Sequence, residues 1–297
     1  MLRKIKKIVA GEEKVDGAGV SLTRVIGKPN VHDFDPFLML DAFDHKDPEK
    51  YTKGFPWHPH RGIETVTYLL EGEIEHGDSL GNSGVIRNGD CQWMTAGSGI
   101  IHHEMPQAAP RMLGTQLWVN LPAKDKMTVP KYRDFKNTDL PQINNDDCRV
   151  KIIAGQYDGR TGPMEDITVQ PTYLDVTVKP GAGFTFETDP HDTLFIYIYS
   201  GTLLFKADRD KELPTRVAAL FEAGDELHVK GGEKGARFLL FAGKPLKEPI
   251  AWGGPIVMNT KDELALAFEE INKGTFIKEH QPDGSVTSSK VHEDYYR

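Results

Sequence analysis

The sequence predicts an all-β protein made of two successive β-barrels followed by one helix. Three observations predict it. Segments rich in Val, Ile, Thr and aromatic residues are cut by Gly, Pro, Asn or Asp about every eight to twelve residues, the spacing of sandwich or barrel strands. The two halves carry similar glycine punctuation. The chain has 297 residues, more than one hydrophobic core usually organises, so two domains of about 130 residues each are expected.

In the first half, strands are predicted around Thr65 to Leu70, Gly72 to Glu75, Val85 to Arg87 and Gln92 to Met94. The turn signals Glu71-Gly72, Gly81-Asn82 and Asn88-Gly89 separate them. After Leu121 the run from Pro122 to Pro141 is polar, contains Pro130 as well, and lacks sustained periodicity, so it reads as a linker. A second set of strands begins near Arg149, with Val150 to Ile153, Tyr173 to Val178, Phe195 to Tyr199 and Leu203 to Phe205. It reads as a diverged repeat: Glu71-Gly72-Glu73-Ile74 matches Ser200-Gly201-Thr202-Leu203, and Asn88-Gly89-Asp90 matches Ala223-Gly224-Asp225. The expected domains are residues 1–135 and residues 136–297, one barrel each. The second includes a helix at about 260–273, where Thr260 to Glu263 forms a capping box, Leu264, Phe268 and Ile271 follow at helical spacing, and Gly274 is the stop. Lys278 to Arg297 is expected to be a polar, loosely held tail, despite Tyr295 and Tyr296.

Composition narrows the function classes. With 38% hydrophobic and 27% charged residues the chain is an ordinary globular one. A net charge of -8 and a pI near 5.8 argue against direct nucleic-acid binding and favour a small-molecule or protein partner. Cys91 and Cys148 lie far apart and form no CxxC pair, which suggests neither a disulfide framework nor a thiolate zinc site and fits a reducing compartment. The basic start through Lys7 lacks the apolar stretch of a signal peptide and nothing reaches transmembrane length, so a cytoplasmic location without membrane association is expected.

Chemistry concentrates in two short runs. In Trp57-His58-Pro59-His60-Arg61-Gly62, the histidines stand at i and i+2 just before a strand, and extended residues at that spacing share a face. In Ile101-His102-His103-Glu104-Met105, His102 and Glu104 repeat the relation and His103 faces the other way. Folded against each other, the pairs offer three imidazole nitrogens and a carboxylate to one metal, with positions left for water or substrate. An N/O site without sulfur suits zinc, iron, manganese, nickel or copper. Glu64, on the strand after His60, competes with Glu104 for the carboxylate role. His32, His45, His76, His228, His280 and His292 read as surface or hydrogen-bonded residues, Trp93 and Met94 as core or pocket wall, and Cys91 as a small buried apolar residue.

The runs Phe55 to Gly62, Gln92 to Gly97 and Gly99 to Pro106 closely resemble the pirin family, as do Phe34 to Leu38, Gln116 to Leu121 and Gly254 to Thr260. The resemblance implies a bicupin, two stacked cupin barrels of which only the first keeps its metal. It implies His58, His60, His102 and Glu104 as ligands, with Glu64 outside them. Aligning Gly201 on Gly72 puts Glu187 and Asp189 where the second barrel's histidines would stand, and Thr193 opposite Glu64. The cofactor implied is one divalent transition metal, Fe(II) foremost, with Mn, Ni, Cu, Co or Zn as alternatives. The activity implied is cleavage of flavonols such as quercetin by dioxygen, with Glu104 as ligand and general base and Phe43, Trp93 and Met94 as candidate pocket walls. The alternative is an iron-dependent, redox-sensing protein that regulates a protein partner. The enzyme reading is preferred because a buried, open-sided metal site beside a carboxylate is what oxygen chemistry needs.

Overall fold

The computed structural model describes residues 1–165, 167–281 and 286–288. His292, Tyr295, Tyr296 and most of the expected polar tail lie outside the described residues. What is described of the tail includes a short hairpin, Lys278–His280 paired with Val286–Ser288.

The chain is mostly β and divides into two compact units, neither continuous in sequence. One comprises Glu13–Arg24, Phe37–Asn137 and Lys247–Arg297; the other comprises Met1–Glu12, Val25–Pro36 and Thr138–Leu246. These are not the sequential halves 1–135 and 136–297. The first strand, Ile5–Ala10, pairs with Val217–Phe221, and the terminal helix belongs with the unit built on residues 37–137. Periodicity identifies a strand but not its partner, so the neighbours of the chain's ends are set by pairings that local sequence does not show.

In the unit holding Phe37–Asn137, a seven-stranded sheet runs in the order Lys131–Phe135, Cys91–Thr95, Ile63–Glu71, Met112–Asn120, Phe37–His45, Val20–Ile26, Glu12–Asp16. A four-stranded sheet runs in the order Phe55–His60, Ile100–Pro106, Ile74–Asp78, Ser83–Ile86. The expected linker is therefore partly strand: Lys131 to Phe135 pair with Thr95 to Cys91. Its Lys-Tyr-Arg-Asp-Phe pattern, preceded by Pro130, is that of a polar edge strand, which a search for apolar alternation overlooks. Val20, Leu22, Phe43, Tyr51, Leu69, Ile74, Ile86 and Met112 form an apolar cluster between strands of both sheets.

The other unit is built on a nine-stranded sheet whose inward residues alternate. Val150 and Ile152, Leu174, Val176 and Val178, Leu194, Ile196 and Ile198, and Phe238, Leu240 and Ala242 all enter one core. The helix spans Lys261–Asn272. The Thr260 hydroxyl accepts from the Glu263 N–H, and the Glu263 carboxylate accepts from the Thr260 N–H.

Candidate metal centre

Two neighbouring antiparallel strands of the four-stranded sheet carry the histidines. His102 stands opposite His58 in the register and Ile100 opposite His60, so the i, i+2 spacing on each strand brings all three imidazoles to one face. Their ring centroids lie 4.3 Å apart for His58 and His102, 4.8 Å for His58 and His60, and 5.0 Å for His60 and His102. One nitrogen from each ring falls within 4.8 Å of the others. His103 faces away and packs on Trp57, the rings 4.3 Å apart.

The hydrogen bonds fix which nitrogen is free. His58 Nδ1 donates to the Pro56 carbonyl (2.8 Å) and His60 Nδ1 donates to the Pro255 carbonyl (3.0 Å), so both rings keep the Nε2 lone pair. His102 is fully buried, and among the described residues neither of its ring nitrogens has a hydrogen-bond partner. A buried polar atom without a partner is costly, and a cation among the three imidazoles relieves that cost. Burial pushes the His60 imidazole down to about 3, and His58 and His102 are lowered for the same reason, with the neighbouring imidazoles adding to the effect on His102. The rings are therefore neutral at pH 7, the form that ligates metal. The residues present fit a divalent transition metal.

Glu104 lies on the same strand as His102 and its charge acts on His58, but its oxygens are engaged elsewhere. Thr67 Oγ1 donates to Oε1 (3.0 Å) and Gln116 Nε2 donates to Oε2 (2.7 Å). Glu64 is on the other face of its strand. It lies three residues from Thr67, an odd step, and accepts from Thr95 Oγ1 at 2.8 Å; burial pushes its carboxyl up.

An apolar cleft is lined by Val20, Phe43, Phe55, Ile74 and Met112, with Glu104, Thr67 and Gln116 as polar residues of its wall. Of the residues the sequence offered as pocket walls, Phe43 lines this cleft. Trp93 is not: in the register it pairs with Val66 and shares the face of Glu64, turned away from Thr67. Met94 pairs with Thr65 and lies on the Thr67 face, buried, but outside the cleft wall. Since adjacent strand residues face opposite ways, Trp93 and Met94 could not both line one pocket.

Three contributors were missed. His76, expected at the surface or hydrogen-bonded, is buried; it stacks on Tyr132 at 4.4 Å and stands 5.4 Å from the His102 ring, its Nε2 3.4 Å from Asp78 Oδ2. The His76-x-Asp78 spacing repeats the i, i+2 signal and could have found it. Gln116, which donates to Glu104, stands on a strand with no histidine or carboxylate to mark it in sequence. Pro255 acts through its backbone and leaves no mark in sequence.

Comparison with known proteins gives concordant results. The family profile described as Pirin matches residues 19–119, and that described as Pirin C-terminal cupin domain matches residues 173–277. A Pseudomonas aeruginosa protein provisionally named quercetin 2,3-dioxygenase is 45% identical over 92% of this chain and 97% of its own. Human Pirin is 40% identical over 89% of this chain and 91% of its own. The crystal structure of a quercetin 2,3-dioxygenase from Acinetobacter baumannii superposes with a TM-score of 0.85 at 31% identity, covering 93% of this chain and 99% of that one.

Proposed function

The chain belongs to the pirin family, and on that basis we propose that it is a metal-dependent dioxygenase cleaving flavonols of the quercetin type. The observation that carries the reading is three neutral imidazoles converging at a strand that also carries Glu104, a carboxylate in the wall of an apolar cleft. The names of the Pseudomonas and Acinetobacter relatives support it. We assign His58, His60 and His102 as ligands of one divalent metal, Fe(II) foremost, with Glu104 as the adjacent carboxylate, able to complete the ligand set or to act as base. When bound, such a metal supplies Lewis acidity and open positions for a substrate oxygen and dioxygen.

The remaining roles belong to the chain. Phe43, Phe55 and Met112 flank a planar aromatic ligand and exclude water. Glu104 takes the proton of the flavonol hydroxyl in the cleft. Gln116 and Thr67 hold that carboxylate, one donor to each oxygen, which leaves each oxygen further capacity to accept a proton.

The test is anaerobic loading of the purified protein with Fe(II), then oxygen-dependent quercetin loss and dioxygen uptake, run beside His102→Ala and Glu104→Gln. Both variants should lose turnover, His102→Ala together with its metal. Stoichiometric metal without flavonol loss in the unaltered protein overturns the reading.

A further inference from the structure

The loop that follows His60 is held by the far end of the chain. Arg61 is 2% exposed, and its guanidinium is engaged on every side. Nε donates to the Ser98 carbonyl (2.7 Å), Nη2 donates to the Phe276 carbonyl (2.8 Å), and Nη1 is ion-paired with Glu270 Oε2 (2.7 Å); the group also covers the Phe276 ring at 4.3 Å. The next residue, Gly62, has φ +77°, and a Cβ there would sit 2.0 Å from the Val257 carbonyl oxygen, so only glycine allows the approach. The Val257 N–H donates to the Arg61 carbonyl. Lys126, also 2% exposed, donates from Nζ to the Gly62 carbonyl (2.9 Å), Asn120 Oδ1 (2.7 Å) and the Val257 carbonyl (3.0 Å).

Two cations are thus buried at the junction of two backbone segments. Apolar residues of similar volume commonly stabilise a fold as well as a buried ion pair does, so burial of such groups is weak evidence for stability alone. Their geometry here has another consequence. By fixing Gly62 against Val257 they hold the preceding segment, whose Pro255 carbonyl accepts from His60 Nδ1. That hydrogen bond sets the tautomer and orientation of the ring.

We propose that the Pro255–Phe276 segment is a working part of the metal centre, and that Arg61, Lys126 and Glu270 are positioning residues that clamp it onto the loop after His60. The inference rests on the assignment of His60 as a ligand. Loosening the clamp lets the Pro255 carbonyl leave Nδ1, after which the imidazole no longer presents a fixed Nε2 lone pair. Metal binding then weakens although all ligating side chains are intact.

The test uses cobalt(II) on the full chain, with affinity from competition against a chelating dye and geometry from the visible ligand-field spectrum. Glu270→Gln and Lys126→Met, compared where circular dichroism shows them folded, are each expected to lose about 10- to 100-fold in affinity, with shifted bands. Arg237→Met is the control for lost stability, because it removes the part-exposed arginine that pairs with buried Asp175 in the other unit. It should bind cobalt with unchanged affinity and spectrum. Variants with the affinity and spectrum of the unaltered chain overturn the clamp, as does an equal loss in Arg237→Met, and either folded clamp variant suffices to decide. Failure of the unaltered chain to bind cobalt, or retained binding in His102→Ala, instead overturns the metal assignment and the clamp with it.

Discussion

Acid should unfold the metal-free protein through its buried imidazoles, and His60 allows the size to be worked out. Burial holds His60 down to about 3 in the folded chain, against an ordinary value of about 6.5 in the unfolded one. The folded value lies below the unfolded value, so the stability is fully present above pH 6.5 and is lost as pH falls towards 3. At pH 5 the unfolded chain carries nearly a whole proton on this residue and the folded chain almost none, which costs about 2 kcal/mol relative to pH 7.5. His58 and His102 are shifted in the same direction, so the whole protein should lose more than this. The assay is urea unfolding of chelator-stripped protein at pH 7.5 and 5.0, in parallel with His60→Gln. Glutamine keeps an N–H for the Pro255 carbonyl but cannot titrate. The unaltered protein should lose about 2 kcal/mol more than the variant over the interval. Equal pH dependence in the two proteins would refute the reasoning, since it would mean that His60 charges in the folded state or is not buried from water.

Gln116→Leu removes the 2.7 Å donor to buried Glu104 and should cost about 2 kcal/mol in urea unfolding at neutral pH, the usual size for a hydrogen bond to a charged group; unchanged stability would show that the carboxylate has another donor. Phe43→Leu should raise the flavonol KM because Phe43 forms the cleft wall, whereas Trp93→Phe should leave KM unchanged because Trp93 lies on the opposite face of its strand. The reverse order in steady-state kinetics would put the substrate on the Glu64 side. Thr260→Ala breaks the capping box and should lower stability by about 1 kcal/mol in thermal unfolding; no shift would mean that the helix start is held by packing alone.

What could be read in the sequence follows from where periodicity carries information. Within a strand, side chains alternate strictly, so His58 with His60 and His102 with Glu104 could be paired from spacing alone. The capping box at Thr260 is legible for a similar reason, because its donor and acceptor are three residues apart. Alternation fails at breaks. Arg61 and Gly62 separate the Phe55–His60 strand from Ile63–Glu71, and with Gly62 at φ +77° the phase of one strand is not carried into the next. The choice between Glu64 and Glu104 therefore could not be made by counting from His60. Counting within the second strand does separate Glu64 from Thr67, but only once Thr67 is known to face Glu104. The same parity separates Trp93 from Met94, so the two cannot face one pocket.

Pairing between distant strands is a harder limit. Ile5–Ala10 shows its alternation openly, yet nothing local names Val217–Phe221 as its partner, because backbone hydrogen bonds are the same for every residue but proline. Pro255 is the extreme case. Its contribution to the candidate centre is a carbonyl oxygen 195 positions along the chain from His60, a group that every residue possesses. A backbone contributor of this kind is detectable in sequence only through what holds it in place, here a glycine too close to a carbonyl for any side chain and two cations buried beside it. Gly62, Arg61 and Lys126 are thus the readable trace of an interaction whose acceptor leaves none, and substituting them is a more direct probe of it than substituting Pro255, whose carbonyl survives every side-chain exchange.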